Sequence, residues 1–221
     1  RLVLNGWTID VARQEGDGLE DDLWRRDYSL NAIALPLQPL APLCDPTGGL
    51  GDLKQGRLRA VREQNLIDDP LRLLRGLRFL AEIPLVLDSQ TGEWIQRHYQ
   101  ALVESAPERI LAELQRLVKG PHADQALQHL EHWPLLQPWA TTSPAVATHD
   151  TTLLNAAEEA VALPLARLTN LISDDGLKRL KASKMLQQRC ARLRHWVLHA
   201  NQHPESLPEQ KRRQLHLELE V

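Results

Sequence analysis

The feature that most constrains the fold of this 221-residue chain is a change of sequence pattern near residue 62. Before it, short apolar runs alternate with turns rich in proline and glycine, which is typical of short strands and small helices. After it, apolar residues recur at the three- and four-residue spacing of helices. No Gly/Ser-rich linker separates the two parts, so the pattern predicts an α+β segment that runs directly into an all-helical body.

The first residues predict a β-hairpin. Residues 2–4 are apolar and residues 7–11 alternate between apolar and polar side chains. Asn5-Gly6, a dipeptide typical of tight hairpin turns, joins them. A lone hairpin is marginally stable and needs further strands. Because the chain opens with an arginine and its only methionine is Met185, we expect a fragment whose missing strands lie upstream.

Helices are predicted along most of the remaining chain. Asp21 or Asp22 can cap a helix that carries Leu23 and Leu30 on its apolar face. Residues 57–61 predict an edge strand, and the next helix begins near residue 68. Later helices are predicted at 89–103, 107–118, 122–132, 152–163, 175–183, 185–200 and 208–219.

Composition limits the classes of protein to which the chain can belong. A hydrophobic content of 43% supports a packed core. There is no apolar run of about 18 residues and no signal-peptide pattern, so we expect no membrane association. Cys44 and Cys190 are far apart and belong to no C-x-x-C motif, which disfavours disulfides or cysteine-bound zinc and favours the cytoplasm.

Positive charge is concentrated near the C-terminal end, although the formal net charge is −3. Residues 178–194 contain seven basic residues and no acidic one. These are Lys178, Arg179, Lys181, Lys184, Arg189, Arg192 and Arg194. Such a cluster is typical of a surface that binds the phosphates of RNA, and a solvated helix face is the alternative.

A second polar pattern lies at the start of the helix predicted near residue 68. The sequence DDPLRLLRGLRF places Asp69 and Arg72 three residues apart. A carboxylate acceptor beside a guanidinium donor on one helical face can hydrogen-bond the edge of a nucleobase. Arg75 and Arg78 continue the stripe and provide charge for a triphosphate. For an isolated D-x-x-R pair, the other interpretation is a surface salt bridge.

Three sequence blocks occur in one order: DLWRRDYSLNA (22–32), DPTGGLGDL (45–53) and DDPLRLLRGLRF (68–79). Together they resemble the class II tRNA nucleotidyltransferases, or CCA-adding enzymes, and the related bacterial poly(A) polymerases. The resemblance implies the remnant of a nucleotidyltransferase head at 1–62, neck helices at 63–120 and an RNA-binding helical body at 121–221. Glu108 and Arg109 resemble a family pair that positions the neck helices.

According to this resemblance, seven residues would bind the nucleotide. They are Arg26, Asp27, Asn31, Asp69, Arg72, Arg75 and Arg78. Asp27 and Asn31, four residues apart on one helical face, would recognise the ribose. Asp69 and Arg72 would pair with the incoming base in place of a nucleic-acid template. The glycine turn of the second block would be structural.

Catalysis in this family uses two aspartates of a D-x-D strand to hold magnesium ions. The sequence contains no D-x-D, so we expect this chain to lack the magnesium ligands and to be catalytically incomplete alone. Asp10, on the predicted hairpin, would either assist the metal site or have only a structural role at the end of the strand.

The resemblance implies an enzyme that adds CCA to tRNA 3′ ends, using CTP and ATP with magnesium, while residues 178–194 grip the acceptor arm. Three alternatives remain open. The short connection at 12–21 resembles that of members which add only the two cytidines. A poly(A) polymerase would share the same core, and a non-catalytic RNA-binding module would use the three blocks only structurally.

Overall fold

The fold is mostly helical, the short strands of the described residues all lie before residue 90, and the predicted α+β class is confirmed. The computed structural model describes residues 2–9, 11, 13–14, 16–37, 42–142, 155–199 and 208–210, with the backbone alone for 196–199. The strands are β1 (Leu2–Leu4), β2 (Trp7–Ile9), β3 (Arg57–Leu58) and β4 (Val86–Leu87). The α-helices are α1 (Leu19–Trp24), α2 (Gly49–Lys54), α3 (Glu63–Asp68), α4 (Leu71–Glu82), α5 (Ser89–His98), α6 (Pro107–Lys119), α7 (Ala123–His132), α8 (Ala156–Leu171), α9 (Asp174–Arg179) and α10 (Lys184–His199).

The predicted hairpin is present. β1 and β2 pair antiparallel, with Leu2 opposite Ile9 and Leu4 opposite Trp7. Asn5 and Gly6 have φ angles of 47° and 82°, which is the left-handed geometry of a tight hairpin turn. The apolar side chains of both strands are exposed. Asp10, the tentative metal-site residue, lies outside the described residues.

The helix predicted through residues 22–34 is wrong, because the chain forms two short elements there. α1 ends at Trp24, and a separate 3-10 turn spans Ser29–Asn31. The carboxylate of Asp27 accepts the Tyr28 N–H at 2.8 Å, a local bond that competes with continuation of an α-helix. The N-cap of α1 is Gly18 rather than Asp21 or Asp22.

Tertiary packing also overrides the predicted end of α8. The sequence predicts a helix at 152–163, yet the helix continues through Pro164 to Leu171. A proline inside a helix removes one backbone hydrogen bond. Leu168 and Thr169 near the end of α8 are buried, and this burial outweighs the lost bond. Of the helix predicted at 208–219, only 208–210 are described.

The core is centred on α4. Leu73, Leu74, Leu77 and Leu80 are fully buried on this helix, which packs against α6 and α7, while α6 packs against α8. β3 and β4 form a parallel pair that the sequence pattern does not predict, and this pair crosses the boundary predicted at residue 62. The predicted domain limits therefore remain predictions. Among the described helices, none is long and apolar enough to cross a membrane.

Tyr28 fixes the segment before the 3-10 turn against α4. Its side chain is fully buried, and its hydroxyl donates to the Arg72 carbonyl at 2.8 Å. The ring meets Phe79 edge to face, with centroids 5.6 Å apart. Burial raises the pKa of Tyr28 far above its ordinary value, so the hydroxyl stays protonated and keeps this bond.

The second sequence block fixes the 3-10 turn from the opposite side. The buried carboxylate of Asp52 accepts hydrogen bonds from Ser29 Oγ at 2.7 Å and from the Nε atoms of Arg57 and Arg59 at 2.8 Å. A Cβ at Gly49 would lie 2.1 Å from the Ser29 carbonyl oxygen. Burial raises the pKa of Asp52, but its bonds to Ser29, Arg59 and Arg57 outweigh that effect and hold the pKa below its ordinary value.

The contact between Tyr28 and α4 predicts a large cost for Gly76→Ala, since a Cβ at Gly76 would lie 2.1 Å from the tyrosine oxygen. We expect the free energy of unfolding, measured in urea, to fall by about 2–4 kcal/mol. Gly51→Ala on α2 is the control, because a Cβ there meets nothing within 4 Å. It should be neutral or stabilising by up to about 1 kcal/mol. Equal effects of the two variants would contradict this packing.

The lowered pKa of Asp52 predicts a pH-dependent contribution to stability. A carboxyl group with a lower pKa in the folded state stabilises the fold above its unfolded-state pKa, and this contribution is lost as pH falls through the folded-state pKa. Asp52→Asn should therefore be less stable than wild type at pH 7, and the gap should narrow below the ordinary value of 3.8. Unfolding in urea from pH 7 to pH 3 measures it, with the exposed Glu93→Gln as control. A gap independent of pH would contradict the ion-pair account.

Candidate functional site

A polar cleft of about 350 Å³ opens between the 26–31 segment and the start of α4. This volume falls in the range of roughly 300–1,000 Å³ that small-molecule sites occupy. Six side chains line it: Arg26, Asp27, Asn31, Asp69, Arg72 and Arg75. All six belong to the seven predicted nucleotide-binding residues, so the structure brings two distant sequence blocks together at one cleft.

Asp27 and Arg75 join the two walls of this cleft. Arg75 Nε donates to Asp27 Oδ2 at 2.8 Å, and Arg75 Nη2 lies 2.7 Å from the same oxygen. Asp27 Oδ1 accepts the Asn31 amide at 3.0 Å and the Tyr28 backbone N–H at 2.8 Å. A carboxylate has about four acceptor positions, so Asp27 is saturated within the protein. A ribose hydroxyl bound to Asp27 would have to replace one of these partners.

Arg75 is held from its other side by Glu113 of α6. Its Nη1 lies 3.5 Å from Glu113 Oε1. Burial favours the neutral form of Arg75, but the carboxylates of Asp27 and Glu113 more than offset this and raise its pKa above the ordinary value. The guanidinium therefore stays charged, and the two carboxylates hold it in place at the cleft.

Arg78 is not among the side chains that line this cleft, and its role in nucleotide binding stays a prediction. Its side chain is only 3% exposed, and its Nε lies 2.6 Å from Glu113 Oε2. It also forms an ion pair with Glu82. A step of three residues turns a helix by about 300°, so the arginine stripe rotates away from the cleft between Arg72 and Arg78.

Asp69 and Arg72 share the cleft but not a helical face. Asp69 lies in the junction between α3 and α4 with extended backbone angles, which the following Pro70 favours. Arg72 is in the first turn of α4, with its Nε 4.0 Å from Asp69 Oδ2. The predicted helical placement of Asp69 is wrong, while the predicted proximity of an acceptor and a donor is present.

The donor of this pair is anchored by backbone carbonyls. Arg72 Nη1 donates to the Arg25 carbonyl at 2.8 Å and to the Asn65 carbonyl at 3.1 Å. The Asn65 amide in turn donates to the carbonyls of Trp24 and Arg26 at 2.8 and 2.7 Å. α3 therefore holds the backbone that presents Arg26 to the cleft.

Sequence reasoning missed the supporting roles of Tyr28 and Asn65. Their partners lie about forty residues away along the chain, and nothing in the local pattern identifies such a contact.

The family resemblance assigned Arg109 a role in positioning the neck helices. In the structure, Arg109 Nη2 donates to Asp69 Oδ2 at 3.0 Å, so it contacts the predicted base-reading acceptor directly.

The predicted RNA-binding residues fall into two groups. Arg179 donates to the Pro138 carbonyl, Lys181 pairs with Glu108, and Arg194 pairs with Asp174 and two backbone carbonyls. Within the described part of the chain, the side chains of the other four have no hydrogen-bond or ion-pair partner. These four, termed the free basic residues, are Lys178, Lys184, Arg189 and Arg192, and all except the half-buried Arg189 are exposed.

The described residues do not form a site for the magnesium ion that the family resemblance implies. Among them, no group of three or more His, Cys, Asp or Glu side chains is placed to hold a metal ion. The magnesium requirement therefore stays a prediction.

Comparison with known families gives matches in two parts of the chain. Residues 8–59 match the family described as the Poly A polymerase head domain. Residues 85–144 match the family described as the probable RNA and SrmB-binding site of polymerase A. The first match contains the 26–31 wall of the cleft, and Asp69 and Arg72 lie between the two matched segments.

Individual relatives agree with these matches. A CC-adding tRNA nucleotidyltransferase of Synechocystis sp. is 41% identical over 139 residues, which cover 60% of this chain and 33% of that protein. An A-adding tRNA nucleotidyltransferase of Deinococcus radiodurans is 41% identical over 141 residues, which cover 59% of this chain and 32% of that protein. The structure of the Bacillus stearothermophilus CCA-adding enzyme in complex with CTP has a TM-score of 0.66 and 26% identity, covering 87% of this chain and 50% of that chain. The chain thus spans about a third of the length of these curated relatives.

Proposed function

Because this chain belongs to the family of tRNA nucleotidyltransferases and bacterial poly(A) polymerases, we propose that its cleft selects the nucleotide for addition of C and A to tRNA 3′ ends. One observation carries this proposal. A carboxylate acceptor, Asp69, and a guanidinium donor, Arg72, line the same cleft as Arg26 and Arg75. Base-reading groups and phosphate-binding charge are therefore within reach of one nucleotide.

The chemistry of the pair matches cytosine and adenine. Each of these bases carries an exocyclic amino group, which donates, next to a ring nitrogen, which accepts. The Asp69 carboxylate can accept from the amino group while the Arg72 guanidinium donates to the ring nitrogen. Uracil and guanine carry a carbonyl oxygen in place of the amino group, so their acceptor would face the carboxylate. One protein pair therefore accepts C and A and rejects U and G.

The cations around the cleft suit a triphosphate. Arg26 is half-exposed beside it, with its Nε donating to Asp22 at 3.0 Å. Arg75 adds a permanent charge that Asp27 and Glu113 hold in place. Positive groups at a concave site attract anionic ligands, so we assign the phosphates to these two arginines.

The proposed RNA substrate is the 3′ end of tRNA, which is consistent with the names of both curated relatives. The CC-adding and the A-adding relative are each 41% identical to this chain. The matched region therefore supports nucleotide addition to tRNA and does not favour either product. The free basic residues provide a surface for the tRNA backbone.

Base selection predicts a defined effect of Asp69→Asn on this chain. The wild-type chain should bind CTP better than UTP and ATP better than GTP. Asn keeps the shape of the side chain but replaces one acceptor by a donor, so both preferences should fall by about tenfold. Equilibrium binding of the four triphosphates measures this, with the adjacent, exposed Asp68→Asn as control. If Asp69→Asn kept the wild-type preferences, Asp69 would not read the base.

The free basic residues predict a defect in RNA binding. Replacing Lys184 and Arg192 together by Gln should weaken binding of a tRNA that lacks CCA. The slope of the logarithm of the binding constant against the logarithm of the salt concentration should become shallower by about one for each lost phosphate contact. The control replaces Arg179 and Lys181 by Gln, which removes the same charge from side chains with partners inside the protein. Binding measured over a series of salt concentrations separates the two. Equal losses for both double variants would contradict the assigned surface.

A further inference from the structure

Arg109 is placed to control the orientation of Asp69. It lies in the first turn of α6 and reaches across to the α3–α4 junction, where its Nη2 donates to Asp69 Oδ2 at 3.0 Å. We propose that Arg109 is a positioning residue that sets base selectivity by fixing the direction of the Asp69 carboxylate. This inference rests on the proposed function, since it concerns the same cleft.

Asp69 depends on such support because of its position in the chain. It belongs to neither α3 nor α4, and only its backbone carbonyl is bonded locally, to the Arg72 N–H at 2.9 Å. Its side chain is 30% exposed. The second cation near its carboxylate, Arg72, is 4.0 Å away, which is beyond hydrogen-bond distance. Arg109 is therefore the partner that holds the carboxylate by a direct bond.

The two members of the base-reading pair are held independently. Arg72 is fixed by the carbonyls of Arg25 and Asn65, and neither bond involves Arg109. Loss of Arg109 would release the acceptor and leave the donor in place. The change would therefore affect how the base is read without dismantling the cleft.

Release of the acceptor has a predictable sign for each base. A fixed carboxylate faces the carbonyl oxygen of uracil or guanine, and this repulsion supports rejection of both. A carboxylate free to rotate turns away from that oxygen, so the wrong bases gain affinity. For cytosine and adenine, the same freedom weakens the bond from the amino group. Base selectivity should therefore fall, because uracil and guanine bind more tightly while cytosine and adenine bind more weakly.

Arg116 provides a matched control on the same helix. It lies two turns after Arg109, and its Nη2 is 2.9 Å from Glu82. The two arginine side chains are equally exposed, at 55% and 56%. Each therefore forms one ion pair with a partly buried carboxylate, but only Arg109 contacts a residue that lines the cleft.

The test compares Arg109→Gln and Arg116→Gln in the full 221-residue chain. Dissociation constants are measured for CTP, UTP, ATP and GTP, with inorganic tripolyphosphate as a probe of phosphate binding alone. We expect Arg109→Gln to reduce the CTP-over-UTP and ATP-over-GTP preferences by about fivefold or more. Its tripolyphosphate affinity and thermal midpoint should match those of Arg116→Gln. Arg109→Met, which keeps the side-chain stem, should give the same loss.

The outcomes separate this inference from the function on which it rests. A wild-type chain without any base preference would overturn the proposed function and the inference together. A wild-type preference that survives in both Arg109 variants would overturn the inference alone. A parallel loss of tripolyphosphate affinity would also overturn it, because Arg109 would then act on phosphate binding rather than on the direction of Asp69.

Discussion

The ion pair between Asp27 and Arg75 is the interaction on which the cleft depends. It joins two segments that lie 48 residues apart in sequence, and Asp27 is only 6% exposed. Arg75 is 30% exposed, so the pair is only partly shielded from water. Breaking it would still leave the Asp27 carboxylate buried without its charged partner, which opposes separation of the walls. Tyr28, buried against Gly76 of α4, fixes the same junction by packing.

The polar residues around the cleft have two different roles: some stabilise its walls, and others are free to hydrogen-bond a base. Asp27 has its acceptor positions filled by the protein, and Arg78 turns inward to Glu113, so both stabilise the walls. Asp69 also lines the cleft, but its carboxylate accepts a single side-chain hydrogen bond, from Arg109, and Arg72 lines the cleft beside it. This division explains why a carboxylate at the α3–α4 junction is better suited to read a base than the more deeply buried one beside it. Preorganised groups select ligands because little ordering is left to occur on binding.

The sequence predicted the parts of the site that depend on local pattern and family resemblance. The hairpin, the α+β class and the starts of most helices follow from turn dipeptides and apolar spacing, and six of seven nucleotide-binding candidates meet at the cleft. The failures have physical causes. The helix ends at Trp24, and Asp27 binds the Tyr28 N–H that a continued helix would use. Helical rotation carries Arg78 inward, and burial extends α8 past Pro164. The support from Asn65 comes from contacts about forty residues away, which no local pattern encodes.

The most direct test of this account is a crystal structure of the chain bound to CTP. The account predicts that the cytosine amino group lies within hydrogen-bond distance of the Asp69 carboxylate and that the Arg72 guanidinium donates to the ring nitrogen beside it. The triphosphate should lie toward Arg26 and Arg75. A cytosine bound outside the cleft, or with this edge turned to solvent, would contradict the claim that these side chains read the base.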